Sequence, residues 1–492
     1  MTDERACALQ RSHAASDGNL WRIAAHFEKR EFCARSVVAR LVLLILIVLS
    51  ALIPGVAGQQ TGNTPIAFEG ATLIDGTGGP AIVKSVLVIQ GDRIVAVGKH
   101  GKVRYPKTAR VIDAQGKTII PGLINAHGHL GLVVGAAQRA DGYTAVNVET
   151  ELLQYEQYGV TSMLSLGLNR DLLYDIRAQQ QTGEVGGASI FTADRGLGVP
   201  DGIPPLAVGS DQIYRPATPE DARADVQAMA SRHADIVKLW LDDSYGKYPK
   251  MQPAIYKAII DECRNRGLRV AAHVFYLNDA KALVRDGVDV LAHSVRDRDL
   301  DSDFIKMVKG NGVLYIPTLT VDESFFVFAE HPELMSDSFF ELATSPELLK
   351  MLKSREYRDK VESDPNLPKY KAALDTGMRN LKTLSDAGAH IAFGTDSGAF
   401  PARIPGWAEH HELELMVRAG LTPTQALTAA TRGSAAVLGV SDRGTLEAGK
   451  RADFLVLAAN PLNDIRNTRK IVAVWHGGRE VKPRVAAPAL EQ

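Results

Sequence analysis

Cysteine is scarce in this chain, three in 492 residues, and there is no basic run, no internal repeat and no apolar stretch of membrane-spanning length. Each absence excludes something. Cys7 and Cys33 fall in an N-terminal leader, so the body keeps only Cys263 and can form no internal disulfide; its stability must come from core packing and, where a site exists, from bound metal. Lys+Arg 56 against Asp+Glu 57 leaves a net charge of −1, which argues against nucleic acid or any other polyanion as partner. The longest apolar run, Leu41 to Ile53, falls short of the about 20 residues that cross a bilayer.

That run has Arg35 and Arg40 before it and Val56-Ala57-Gly58 after it. A positive flank, a short apolar core and a small-residue site read as a secretory signal within residues 1–58, cleaved near Ala57 or Gly58. The expected mature chain is exported, periplasmic or secreted. The alternative is an uncleaved N-terminal anchor, which would be the chain's only membrane contact.

What is present divides into two rhythms. Residues 64–117 alternate in short strands bounded by Gly, Asp and Asn turns, and residues 441–485 return to that style, so the two ends are expected to build one composite β-sandwich. Between them, residues 118–440 alternate apolar runs with helical stretches, the pattern of a parallel sheet wrapped by helices. Eight runs can be counted: TIIPGLI, VTSMLSL, ASIFTAD, DIVKLWL, LRVAAHV, VDVLAHS, VLYIPTL and HIAFGTDS. An α/β chain of eight such units predicts a (β/α)8 TIM barrel, with its chemistry at the C-terminal strand ends. The seventh connection, Thr320 to Gly388, is long enough to carry extra helices over the mouth.

The strand ends are where the chemistry-bearing residues lie. His127 and His129 close run one, Lys238 sits in run four, His273 in run five, His293 in run six and Asp396 in run eight. Singly, each has a plain structural reading: a histidine bonded to a backbone carbonyl, or a turn aspartate. Jointly, six such groups at five strand ends read as a metal site. In a strand, residues i and i+2 face the same side, so His127 and His129 present two imidazoles together. Lys238, flanked by large apolar residues, is desolvated and its amine is biased toward neutrality; a neutral amine adds CO2 to give a carbamate, an anionic oxygen ligand. Four imidazoles, one carboxylate and a carbamate exceed what one tetrahedral ion with an open position needs, and suit two divalent ions about 3.5–4 Å apart. Nitrogen and oxygen ligands in this ratio suit zinc. Asp396 would take a proton from the attacking water and deliver it to a leaving amine.

These residues resemble the amidohydrolase superfamily, in particular its prolidase-like and imidazolonepropionase-like metal-dependent hydrolases. The resemblance runs from FEGATLIDGTGG through IIPGLINAHGH and FGTDSG to ELELMVRAGLTPTQALTAATRG and GTLEAGKRADFLVLAANPL. It implies that His127, His129 and Asp396 hold one metal, that His273 and His293 hold the other, and that a carboxylated Lys238 bridges them. It also implies a small amide substrate: a dipeptide, an Xaa-Pro dipeptide or an N-acyl amino acid. Two departures from the family pattern stand out: DRGLGVPDGIPP after strand three lacks a histidine, and SVRDRDLD follows His293. An imidazolonepropionase-like cyclic-amide hydrolase, a mononuclear deaminase and a silent scaffold barrel are the alternatives. Deaminases commonly place a glutamate where this chain has Tyr276. Tyr276, Arg195 and Arg403 are the candidate substrate contacts, the two arginines for a substrate carboxylate. Self-association into a homo-oligomer stays open.

Overall fold

The structure is a computed structural model that describes residues 64–205 and 208–481; the leader, its signal segment and the stretch after residue 481 lie outside the described residues. Eight parallel strands run through the middle of the chain. Leu123–Gly128, Val160–Ser165 and Ser189–Thr192 form a three-stranded sheet; Val237–Trp240, Val270–His273, Val290–Ala292, Leu314–Ile316 and His390–Ile391 form a five-stranded one in sequence order. Helices separate successive strands, among them Ala145–Gln157, Leu172–Thr182, Pro219–Ser231, Pro253–Asn265, Leu277–Asp286 and Ser302–Gly310. Every residue of the first, second and fourth strands is buried, as expected of parallel strands covered on both faces.

This is a TIM-barrel-like α/β fold, although the strands are laddered as two sheets and not as one continuous eight-stranded sheet. Isolated backbone bonds span both seams. Leu197 N–H donates to the Lys238 carbonyl at 2.8 Å, and Ala126 and Thr395 donate across the other seam to Phe393 and His127, each at 3.0 Å.

The run TIIPGLI proves to be two strands. Thr118–Pro121 pairs with Thr72–Leu73 and Phe454–Leu457, and only after Gly122 does the parallel strand Leu123–Gly128 begin. A continuous buried apolar run has the same appearance in either case, which is why the division was not legible. A Cβ on residue 122 would stand 2.3 Å from Thr161 Oγ1, so only glycine lets the chain pass between the sheets there.

Thr118–Pro121 belongs to a five-stranded sheet that draws on both chain ends, with Arg479–Val481, Ile471–His476, Phe454–Leu457 and Thr72–Leu73. A four-stranded sheet of Arg93–Lys99, Ser85–Gln90, Ile66–Glu69 and Arg110–Asp113 lies on the same apolar cluster. There the Phe68 ring stands edge-on to Phe454 and Trp475, with centroids 5.1 and 5.0 Å away.

The long seventh connection is helical, from Thr320–Glu323 to Leu367–Asp386, and its Phe328 and Phe340 pack on Trp407. Among the described residues no helix is long and apolar enough to cross a membrane.

Candidate metal centre

His127 lies in the first parallel strand and His129 one residue beyond its end, with ring centroids 5.6 Å apart. Asp396 follows the eighth strand on a backbone with φ of +58°, and His293 follows the sixth with φ of +73°. Left-handed conformations are costly for residues other than glycine, and such strain gathers where a side chain must be aimed. Gly394 lets the eighth strand come this close: a Cβ there would stand 2.6 Å from that of His127.

Oδ1 of Asp396 receives two imidazoles, with Nε2 of His127 at 3.1 Å and Nε2 of His129 at 3.0 Å. Ligand atoms of these three buried residues all fall within 4.8 Å of one another. His129 Nδ1 faces the Gly167 carbonyl at 3.2 Å, and a carbonyl only accepts, so Nδ1 carries a proton and Nε2 is the nitrogen turned toward Asp396.

The other two histidines adjoin this group. His293 packs its ring 4.6 Å from that of His127 and 4.3 Å from that of His273. Nδ1 of His293 meets Thr318 Oγ1 at 2.7 Å, which turns Nε2 elsewhere, while Nε2 of His273 meets Oδ2 of Asp242 at 3.0 Å. Burial lowers the pKa of His127, to about 3, and those of His273 and His293, so all three are neutral rings able to ligate.

Lys238 is fully buried and its Nζ has no hydrogen-bond partner; burial brings its pKa down to about 7. Its charge is felt by His127, His273 and His293 alike. Nδ1 of His127 is likewise buried and unpartnered. Two orphaned polar atoms, a set of neutral imidazoles and a carboxylate fit a divalent-metal centre, with Lys238 in the state that accepts CO2. Asp396 is pushed upward by burial, but Arg403 and the two histidines outweigh that and hold it well below the usual carboxylate range.

The candidate substrate contacts separate. Arg403 is buried, with Nη1 on Asp396 Oδ2, Nε on Ser324 Oγ at 3.1 Å and Nη2 on the Val321 carbonyl at 3.4 Å. Its donors therefore serve the protein. Arg195 is tied to Asp171 at 2.9 Å, to the Asp211 carbonyl at 2.7 Å and to Tyr214 at 3.3 Å, a surface-layer network of its own. Tyr276 donates to Asp243 at 2.7 Å under the Lys250 ammonium, and none of its hydrogen bonds reaches the six.

Sequence reasoning missed three groups around the site. Asp242 orients His273. Arg296 and Asp322 form a buried ion pair at 2.8 Å, and Asp322 also feels Arg403. Glu409 bonds to Asn125, Thr395 and Ser397, the neighbours of His127 and Asp396. Asp242 and Arg296 had a signal, since both lie in the loops just past strand ends, after Trp240 and Ala292; Glu409 had none.

Histidines and a carboxylate converge at the C-terminal ends of TIM-barrel-like strands, an arrangement that fits a divalent-metal centre. The chain belongs to the amidohydrolase family, whose model matches residues 118–481. It is similar to the ochratoxinase of Aspergillus niger, at 26% identity over 275 residues; that match covers 54% of this chain and spans about half, 49%, of that enzyme. The imidazolonepropionase of Streptomyces griseus is 24% identical over 438 residues, covering 83% of this chain and 95% of that one. Among solved structures, a putative prolidase from Bifidobacterium longum superposes with a TM-score of 0.67 at 26% identity, over 87% of this chain and 97% of that one.

Proposed function

We propose that the chain is a binuclear metal-dependent amidohydrolase that cleaves the amide bond of a small substrate: a dipeptide, an Xaa-Pro dipeptide or an N-acyl amino acid. The observation that carries this reading is the convergence of His127, His129 and Asp396 beside a buried, unpartnered Lys238. In it, His127, His129 and Asp396 hold one divalent ion, zinc by preference of the donor set, and His273 and His293 hold the other. A carboxylated Lys238 serves both. When bound, the ions polarise the scissile carbonyl and acidify the attacking water.

The chain's own residues do the rest. Asp396 accepts the proton of that water and delivers it to the departing nitrogen, so no side-chain nucleophile is needed. Arg403 fixes the Asp396 carboxylate from one side, leaving Oδ1 to the histidines. Gly167, Thr318 and Asp242 each occupy the second nitrogen of a ring and fix its orientation, and the acceptor-only Gly167 carbonyl and Asp242 carboxylate also place a proton on the nitrogen they meet. The same reading takes the parallel strands within residues 118–440 as one closed barrel, residues 64–117 with 441–485, joined by Thr118–Pro121, as a composite β-sandwich, and residues 1–58 as an export leader.

A cyclic-amide hydrolase is the second reading, favoured by the extent of the match to an imidazolonepropionase. A substrate panel decides: dipeptides including Xaa-Pro, N-acyl amino acids, imidazolonepropionate and aminated purines and pyrimidines, assayed with a metal count. Cleavage of a dipeptide or N-acyl amino acid with two ions per chain is the expected result. Turnover of imidazolonepropionate alone selects the second reading, and ammonia release from the bases with one ion selects a deaminase.

A further inference from the structure

We propose that Glu409 is a positioning residue that sets the distance between the His127–His129 pair and Asp396. The inference rests on the metal reading above. Its ground is a break in the fold: the first and eighth parallel strands, which carry these ligands, share no continuous ladder and meet through isolated backbone bonds. Those bonds lie at the ligands themselves, from the Thr395 and Asp396 N–H groups to the His127 carbonyl at 3.0 and 2.7 Å and from the His129 N–H to the Ser397 carbonyl at 2.8 Å, and a side-chain clasp adds to them.

Glu409 lies on the helix Trp407–Arg418 behind the site and is fully buried. Its Oε1 accepts three hydrogen bonds, from Asn125 Nδ2, Thr395 Oγ1 and Ser397 Oγ, each at 2.7 Å. Oε2 accepts the Gly406 N–H at 2.6 Å. Asn125 returns its own Oδ1 to the His127 N–H at 3.0 Å, and Thr395 and Ser397 flank Asp396 on either side. Asn125 also donates to Thr395 Oγ1 at 3.0 Å, and Ser397 exchanges a 2.5 Å bond with the Tyr155 hydroxyl. One carboxylate oxygen therefore gathers donors from both strand ends, each within two residues of a metal ligand. Only an acceptor with no N–H of its own can take all four donors. An amide in its place would turn two N–H groups toward donors on one side.

Glu409→Gln keeps the shape and removes the acceptor. The test uses the full chain loaded with Co2+, reading metal stoichiometry, chelator competition and the visible Co2+ absorption, together with hydrogen exchange at the amides of His127 and Ser397. His410→Gln is the comparison variant: His410 is buried on the same helix but bonds Thr468 and the Tyr158 carbonyl, away from the ligands. Ser397→Ala removes a single donor and serves if Glu409→Gln folds poorly.

The expected result is that Glu409→Gln weakens one of the two Co2+ sites by about 10–100-fold, changes the visible spectrum and speeds exchange at those two amides. His410→Gln should do none of these at a matched loss of Tm, and Ser397→Ala should give the same effects in smaller measure. Unchanged affinity and exchange in Glu409→Gln would overturn the proposal, as would equal losses in His410→Gln. If the native chain binds no ion, the proposed function fails, while the exchange data still decide whether Glu409 holds the strand ends together.

Discussion

His273 points Nε2 at Oδ2 of Asp242, 3.0 Å away, and both residues come from adjacent parallel strands or their ends. Burial pushes the Asp242 carboxyl up, but the His273 contact and two backbone N–H groups outweigh it and bring the pKa down to about 2. A carboxylate only accepts, so Nε2 holds the proton and Nδ1 offers the lone pair. This is the arrangement by which an outer carboxylate raises the basicity of a metal-binding imidazole. Asp242→Ala should weaken one metal site by about 10–100-fold, and Asp242→Asn by less because its carbonyl oxygen still accepts. Titration with Zn2+ against a chromophoric chelator reads this, and equal affinity in all three proteins would show that Asp242 has no part in the site.

Lys238 sets up a second test. A buried ammonium with no partner is a poor resting state, and a carbamate relieves it. Protein equilibrated with 13C-labelled bicarbonate should show a carbamate resonance that vanishes in Lys238→Arg, because guanidinium stays charged and adds no CO2. Metal content should fall below two ions per chain in the same variant. Full occupancy and turnover in Lys238→Arg would eliminate the bridging role.

These residues were readable from the chain because their signals are local. A histidine pair two apart at the end of an apolar run, and a lysine inside one, contradict their surroundings strongly enough to be noticed without a structure. The helices Pro253–Asn265 and Leu277–Asp286 were equally plain, since each repeats its apolar face at helical spacing and the second closes on Gly287 in the left-handed conformation. What stayed hidden depends on distance along the chain. Glu409 meets Asn125 across 284 positions, and nothing near either residue announces the other. Asp242 sits beside Asp243, and their different partners, His273 and Tyr276, are decided by the turn that follows the strand. Arg195 and Arg403 looked alike as loop arginines, but one pairs with the exposed Asp171 and the buried Asp194, and the other is buried on Asp396.

Arg403 yields a prediction about stability. It and Asp396 are both buried, and removing one member of such a pair leaves an uncompensated charge, at a cost of about 3–5 kcal/mol. Arg403→Met should therefore lower the unfolding free energy sharply in chelator-treated protein. In metal-loaded protein the loss should be smaller, since a bound cation compensates the same carboxylate. Denaturant unfolding with and without chelator measures both, and equal losses would mean that Asp396 does not face the ion.

Glu412 and Glu151 carry the last prediction, the pH dependence of folding. Glu412 is fully buried and takes the N–H groups of Leu319 and Thr320, each at 2.8 Å; Glu151 is buried and takes that of Gly131 at 2.6 Å. Burial dominates in both and pushes each pKa up to about 8, against the opposite pull of those N–H groups. In the unfolded chain each carboxyl returns to its ordinary value near 4.5. Between these values the folded protein keeps a proton that the unfolded chain has released, so each group's contribution is complete below about pH 4.5 and is lost as pH rises toward about 8. The slope is at most about 1.4 kcal/mol per pH unit for each group. Glu412→Gln cannot titrate, and although it costs about 1–3 kcal/mol by setting an amide N–H against a backbone donor, it should flatten its share of that slope. Urea unfolding of chelated protein at a series of pH values from 5 to 8 reads the difference. Parallel curves for the wild type and Glu412→Gln would show that Glu412 is ionised in the folded state throughout, held so by Leu319 and Thr320 in spite of its burial.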